Sequence, residues 1–160
     1  MSDLDEQLKT LFSGKSLTLA TAESCTGGLL AARLVDVPGA SRYFLGGTVS
    51  YSYDAKEQQL GVEHETLLAH GAVSEAVAIQ MARGVRLSLG ADVGISVTGV
   101  AGPGGGTPEK PVGLTWIGLS DTQGEWAERF VWRHDRLGNR QASVQQSLRL
   151  LIDWASAQSG

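Results

Sequence analysis

The chain has 160 residues, 42% of them hydrophobic and 19% charged, a balance that suits one domain with a buried core and is too apolar for disorder. A formal net charge of −4 excludes a nucleic-acid binder held by a broad basic surface, and no apolar run approaches the ~20 residues of a membrane span. The single cysteine, Cys25, excludes an internal disulfide framework and a cysteine-cluster zinc site.

In chain order, Leu4, Leu8, Leu11 and Phe12 recur at helical spacing and predict an amphipathic helix ending at Gly14. SLTLATAES (16–24) reads as a buried strand, followed by a helix over 27–37 capped by Thr26 and stopped by Pro38-Gly39. FLGGTVSY (44–51) is a second strand, and residues 54–62 form a short helix capped by Asp54. After a helical turn at Thr66–His70, the stripe Val77, Met81, Val85 and Leu89 marks a longer helix. ADVGISVTG (91–99) is a third strand, and a Gly/Pro loop covers 99–111. Residues 112–120 and 125–133 read as a hairpin, and a last helix spans 135–157 with Val144, Leu148, Leu151, Ile152 and Ala155 inward. The order α-β-α-β-α-α-β-β-β-α predicts a single domain over 1–160, a three-layer α/β/α sandwich with a mixed β-sheet.

Glycine, at 21 of 160 residues, is about twice its usual share, and four segments carry candidate chemistry. In TAESCTGG (21–28), a strand-to-helix junction places Ser24 at the edge where α/β proteins bind ligands. There Ser24 is a candidate nucleophile, with free helix amides beside it for an oxyanion or phosphate. The same residues also read as a helix cap with packing glycines, and Cys25 as either a thiolate nucleophile or a small buried filler. No G-x-S-x-G elbow is present.

In TVSYSYDAK (48–56), Lys56 would serve as base for a serine if burial held it neutral near pH 7, with Tyr51 orienting its amine or relaying a proton. A solvated lysine and a core tyrosine are the alternative. The run TGVAGPGGGT (98–107) offers amides for an anion, or is simply a flexible connection; it leads into a strand, so neither a Walker A loop nor a dinucleotide fingerprint fits. In HDRLGNR (134–140), Arg136 and Arg140 share one face at the start of the last helix, against its dipole, which invites a carboxylate or a phosphate. The three histidines have no ligand spacing, and the acidic N-terminus lacks the pattern of a signal peptide, so a metal-independent, cytoplasmic protein is expected.

Residues 22–62 and 96–119, with the weaker 134–140, resemble the C-terminal domain of the competence/damage-inducible protein CinA, the nicotinamide-mononucleotide deamidase family. The resemblance extends over nearly the whole chain and looks like the stand-alone form. One departure is Tyr53-Asp54, where the family more often has Ser/Thr-Asn. The resemblance implies hydrolysis of the carboxamide of nicotinamide mononucleotide to nicotinate mononucleotide and ammonia. In that scheme Ser24 attacks, Lys56 moves the proton and Tyr51 holds the lysine, while amides at Thr26, Gly27 and Gly28 stabilise the oxyanion. Thr98, Gly99, Gly102, Gly104, Gly105 and Arg140 receive the phosphate. No metal or cofactor is required, since a serine nucleophile supplies what a metal-bound water otherwise would. The expected partners are a small nucleotide substrate and a second copy of the chain in a homo-oligomer, a dimer being favoured, with no nucleic acid and no membrane. A catalytically inert binding module and an amidohydrolase acting on a different nucleotide are the rival readings.

Overall fold

The structure, a computed structural model, describes residues 2–159. Five strands form one mixed sheet in the order β2-β1-β3-β4-β5. β1 (Leu19–Glu23), β2 (Phe44–Val49) and β3 (Val93–Gly99) run parallel, and β4 (Leu114–Ser120) and β5 (Glu125–Val131) complete the sheet as an antiparallel hairpin. The expected strands are all present. β1 starts later than residue 16 because Lys15 and Ser16, the latter at φ 53, close the preceding helix.

Alternation along the strands divides the core in two. Leu19, Val93, Ile95, Val97, Ile117 and Leu119 face α1 (Asp3–Gly14), α2 (Leu29–Val35) and α6 (Arg136–Ser156), packing with Leu8, Phe12, Leu30, Leu148 and Leu151. Each such side chain contributes roughly 2 kcal/mol when taken out of water. Ala20 and Ala22 face the other way, against α3 (Tyr53–Leu60), α4 (His64–His70) and α5 (Glu75–Leu89) through Leu60, Leu67, Val77, Met81 and Val85. The result is the three-layer α/β/α sandwich. On this second face the backbones nearly touch: a Cβ at Gly94 or Gly118 would overlap the carbonyl oxygens of Ala82 and Ala78. The Ser96 hydroxyl donates to the Ala78 carbonyl at 2.6 Å.

Three local expectations change. Between β2 and β3 there are three helices, because the turn near Thr66–His70 extends into α4. α2 begins at Leu29 with Gly28 (φ 102) at its cap position, and Thr26 is buried with its hydroxyl capping nothing. Its capping group comes from β1 instead: the Glu23 carboxylate accepts from the amides of Leu30 (2.9 Å) and Ala31 (3.0 Å). α3 begins one residue early because Ser52, not Asp54, is the cap, its Oγ accepting from the Ala55 amide at 3.1 Å.

The topology fixes where a ligand can bind. From β1 the chain leaves through α2 on one face of the sheet, and from the neighbouring β2 it leaves through α3 on the other. Adjacent parallel strands that part to opposite faces open a crevice beyond their C-terminal ends. Ser24 and the segment Ser50–Lys56 lie at those ends.

Candidate active site

β1 is the central parallel strand, and its ladder runs on by one bond, the Ser24 amide donating to the Val97 carbonyl at 2.9 Å. Ser24 is thereby held at the sheet edge while the chain turns away behind it. From the neighbouring strand, the Ser50 amide donates to the Glu23 carbonyl at 2.8 Å, and Ser52 starts α3 two residues later. This short connection delivers Lys56, in the first turn of α3, back into the crevice.

Lys56 is 1% exposed. Its ammonium donates to Ser24 Oγ at 2.9 Å and to the Ser50 carbonyl at 2.7 Å. No carboxylate forms an ion pair with it among the described residues. Burial without a counter-charge pushes its pKa down to about 8. A useful fraction of the amine is therefore neutral near physiological pH, with its lone pair free to take the Ser24 proton while an N–H still holds the Ser50 carbonyl. Burial acts in the opposite direction on Cys25, whose thiol is pushed up to about 11. Cys25 is a neutral filler beside Ser24 rather than a thiolate.

Ser24 and Lys56 open into a cavity of about 220 Å³ shared with Tyr51, Thr98, Gly99, Gly102 and Gly104. Seven of the expected site residues thus meet in one place. Larger hollows, of about 390 and 450 Å³, run along α1, but neither contains a nucleophile–base pair. Within the site cavity, the Thr98 hydroxyl is committed to the Ala72 carbonyl at 2.9 Å, and this bond draws the α4–α5 connection against the site. Ala72 and Val73 consequently line the cavity, as do Tyr53 and Ala101. Nothing in the spacing of residues 71–74 signals this, since the contact is made across the sheet edge.

The remaining expected residues lie elsewhere. Thr26, Gly27, Gly28 and Gly105 do not line the cavity, and the Gly27 amide is spent on the Ser24 carbonyl at 3.1 Å. Tyr51 lines the mouth but does not hold the lysine. It is 65% exposed, and its hydroxyl accepts from Arg136 Nη2 at 3.0 Å. The Ser50 carbonyl performs the task expected of Tyr51, a role that no side-chain pattern could reveal.

The two arginines divide the work expected of Arg140. Asp135 caps α6, accepting from the Gly138 amide at 2.7 Å, and this fixes the direction of the first turn. Arg136, on that turn, lines the cavity and bridges its mouth from the Gly102 carbonyl (2.7 Å) to Tyr51. Arg140, one turn further along, stays outside the cavity and donates to the carbonyls of Cys25 (3.0 Å) and Thr26 (3.1 Å). Of the two arginines, Arg136 is the one that lines the cavity.

The model of the CinA C-terminal domain family matches residues 1–155. A CinA-like protein of Chlorobaculum tepidum is 50% identical over 154 residues, covering 93% of this chain. The chain spans 36% of the length of this relative and of a second one from Moorella thermoacetica. Among solved structures, the competence/damage inducible protein CihA of Agrobacterium tumefaciens superposes with a TM-score of 0.90 at 39% identity, over 96% of both chains. Competence damage-inducible protein A of Klebsiella pneumoniae gives 0.94 at 32% identity, over 98% of both.

Proposed function

Because the chain belongs to the CinA C-terminal domain family, we propose that it hydrolyses the carboxamide of nicotinamide mononucleotide, yielding nicotinate mononucleotide and ammonia. The observation that carries this reading is the 2.9 Å contact between a buried lysine of lowered pKa and a serine at the sheet edge. That pair is the equipment of a nucleophile activated by an adjacent base.

Neutral Lys56 takes the Ser24 proton as Oγ adds to the amide carbon. The tetrahedral oxyanion is met by amides of the turn; the Gly27 amide is occupied, while those of Thr26 and Gly28 donate to no acceptor among the described residues. Collapse of the intermediate breaks the C–N bond, and the proton held on Lys56 leaves with ammonia. Water then attacks the resulting ester of Ser24, giving its proton to Lys56. Collapse of this second intermediate breaks the acyl C–Oγ bond, Lys56 returns the proton to Ser24 Oγ, and the carboxylic acid leaves.

An anionic substrate needs a donor at the cavity mouth to offset the acidic chain. Arg136, with the backbone of Gly102 and Gly104, supports a phosphate there better than Arg140, because Arg136 lines the cavity and Arg140 does not. Tyr51, Tyr53, Ala72, Val73 and Ala101 provide a largely apolar wall suited to a planar ring.

Ammonia release from nicotinamide mononucleotide, nicotinamide riboside, free nicotinamide and NAD tests the reading. The mononucleotide, which alone combines the amide with a terminal phosphate, is expected to be turned over fastest. Preference for the riboside or for NAD would redirect the assignment to another nucleotide amide, and no ammonia from any of the four would favour an inert module.

A further inference from the structure

We infer that Arg140 is a positioning residue that sets the oxyanion-binding peptide of the Ser24 turn, a role that rests on the hydrolytic reading above. Its Nε donates to the Cys25 carbonyl at 3.0 Å and its Nη2 to the Thr26 carbonyl at 3.1 Å, from a side chain that stays outside the cavity. A trans peptide is planar, with its C=O and N–H pointing in opposite directions. Fastening the Cys25 carbonyl on Arg140 therefore turns the Thr26 N–H away from Arg140, in the turn that directly follows Ser24 and Cys25 of the cavity lining.

The rest of the turn is fixed in the same manner. The peptide that follows has its carbonyl on Arg140 Nη2 and its N–H, that of Gly27, on the Ser24 carbonyl at 3.1 Å. Beyond it, the buried Glu23 carboxylate holds the amides of Leu30 and Ala31. A cation grips the carbonyls in the middle of the turn and an anion grips the helix amides at its end. The Thr26 amide, between the two carbonyls that Arg140 holds, donates to nothing among the described residues. A guanidinium suits the task because Nε and Nη2 of one rigid planar fork reach two successive carbonyls at once, whereas an ammonium or a side-chain amide lacks that fixed fork.

The test replaces Arg140 by Gln and by Lys and reads two activities. With nicotinamide mononucleotide, Arg140→Gln should lower kcat by roughly 100-fold, the scale of a lost oxyanion donor, with KM within about threefold of wild type. Arg140→Lys should recover part of the loss, and the apparent pKa of the lysine in kcat/KM should not move. Labelling of Ser24 by a fluorophosphonate, which depends on the same turn and not on the natural substrate, should slow in parallel. A wild-type chain that labels but deamidates nothing would defeat the substrate assignment alone, leaving the labelling rates to decide the role of Arg140. If Arg140→Gln does not fold, Arg140→Lys carries the test. Wild-type kinetics and labelling in a folded variant overturn the inference. So does a KM raised at constant kcat, which would mark a substrate ligand, and so does a wild-type Ser24 that the probe never labels.

Discussion

Lys56 and Ser24 stand 32 positions apart in sequence and on different elements, yet the ammonium and the hydroxyl meet at 2.9 Å. Two features of the chain bring this about. Parallel pairing of β1 with β2 sets Glu23 opposite Val49, so the two strands end level. The Ser52 cap then starts α3 immediately, and its first turn swings Lys56 inward. Among the described residues no carboxylate pairs with the buried lysine, and burial without a counter-charge lowers its pKa.

Activity should therefore rise with pH through the titration of Lys56. In kcat/KM, which reports the free enzyme, the acidic limb should have an apparent pKa of about 8, where burial holds Lys56. The sign follows from the neutral amine being the base, so rate is lost as the pH falls. Steady-state ammonia release between pH 6 and 10 checks this. A flat profile would mean that Lys56 is not the base.

The same buried charge should weaken the fold. The folded state lowers the pKa of Lys56 from 10.5 to about 8, so between those values the unfolded chain binds more protons and stability increases with pH. Below the folded pKa the full penalty applies, about 3 kcal/mol at 1.36 kcal/mol per unit. Lys56→Met, which keeps the volume and removes the charge, should be inactive. It should also resist denaturant better than wild type at pH 7, with the advantage shrinking by pH 10. Urea titrations at the two pH values measure it.

At the mouth, Arg136 and Tyr51 should separate by substrate. Arg136→Gln should raise KM for nicotinamide mononucleotide by about tenfold, the worth of a charge-assisted contact at a partly exposed site, and leave nicotinamide riboside unaffected. Tyr51→Phe removes only the acceptor for Arg136 Nη2 and should give a smaller KM effect with kcat preserved. A collapse of kcat in Tyr51→Phe would return the tyrosine to the lysine.

Much of the architecture was legible because periodicity reports burial. The stripe of Val77, Met81 and Val85 and the apolar runs of β1 and β3 are direct records of which side chains face the core. Ser24 and Lys56 were legible as residue types at a strand end and a helix start. What could not be read is the backbone's share of the site. The Ser50 carbonyl and the turn carbonyls under Arg140 carry no side-chain signature, and each finds its partner only once the strands are in register. The choice between Arg136 and Arg140 failed for a related reason. Their shared helix face says that both point toward the site, but not which turn of α6 lies level with the cavity mouth. The glycine excess proved to be of mixed origin: Gly99, Gly102 and Gly104 line the cavity, whereas Gly94 and Gly118 exist to let α5 lie against the sheet.

The most direct test of the Ser24–Lys56 pair is ammonia release from nicotinamide mononucleotide by Ser24→Ala, measured beside its thermal unfolding midpoint. Removing one hydroxyl from the edge of the cavity should leave the midpoint close to that of wild type. Release should fall by at least about a thousandfold, the scale expected when a nucleophile is lost. Full activity in a folded Ser24→Ala protein would contradict the account and move the chemistry to an activated water.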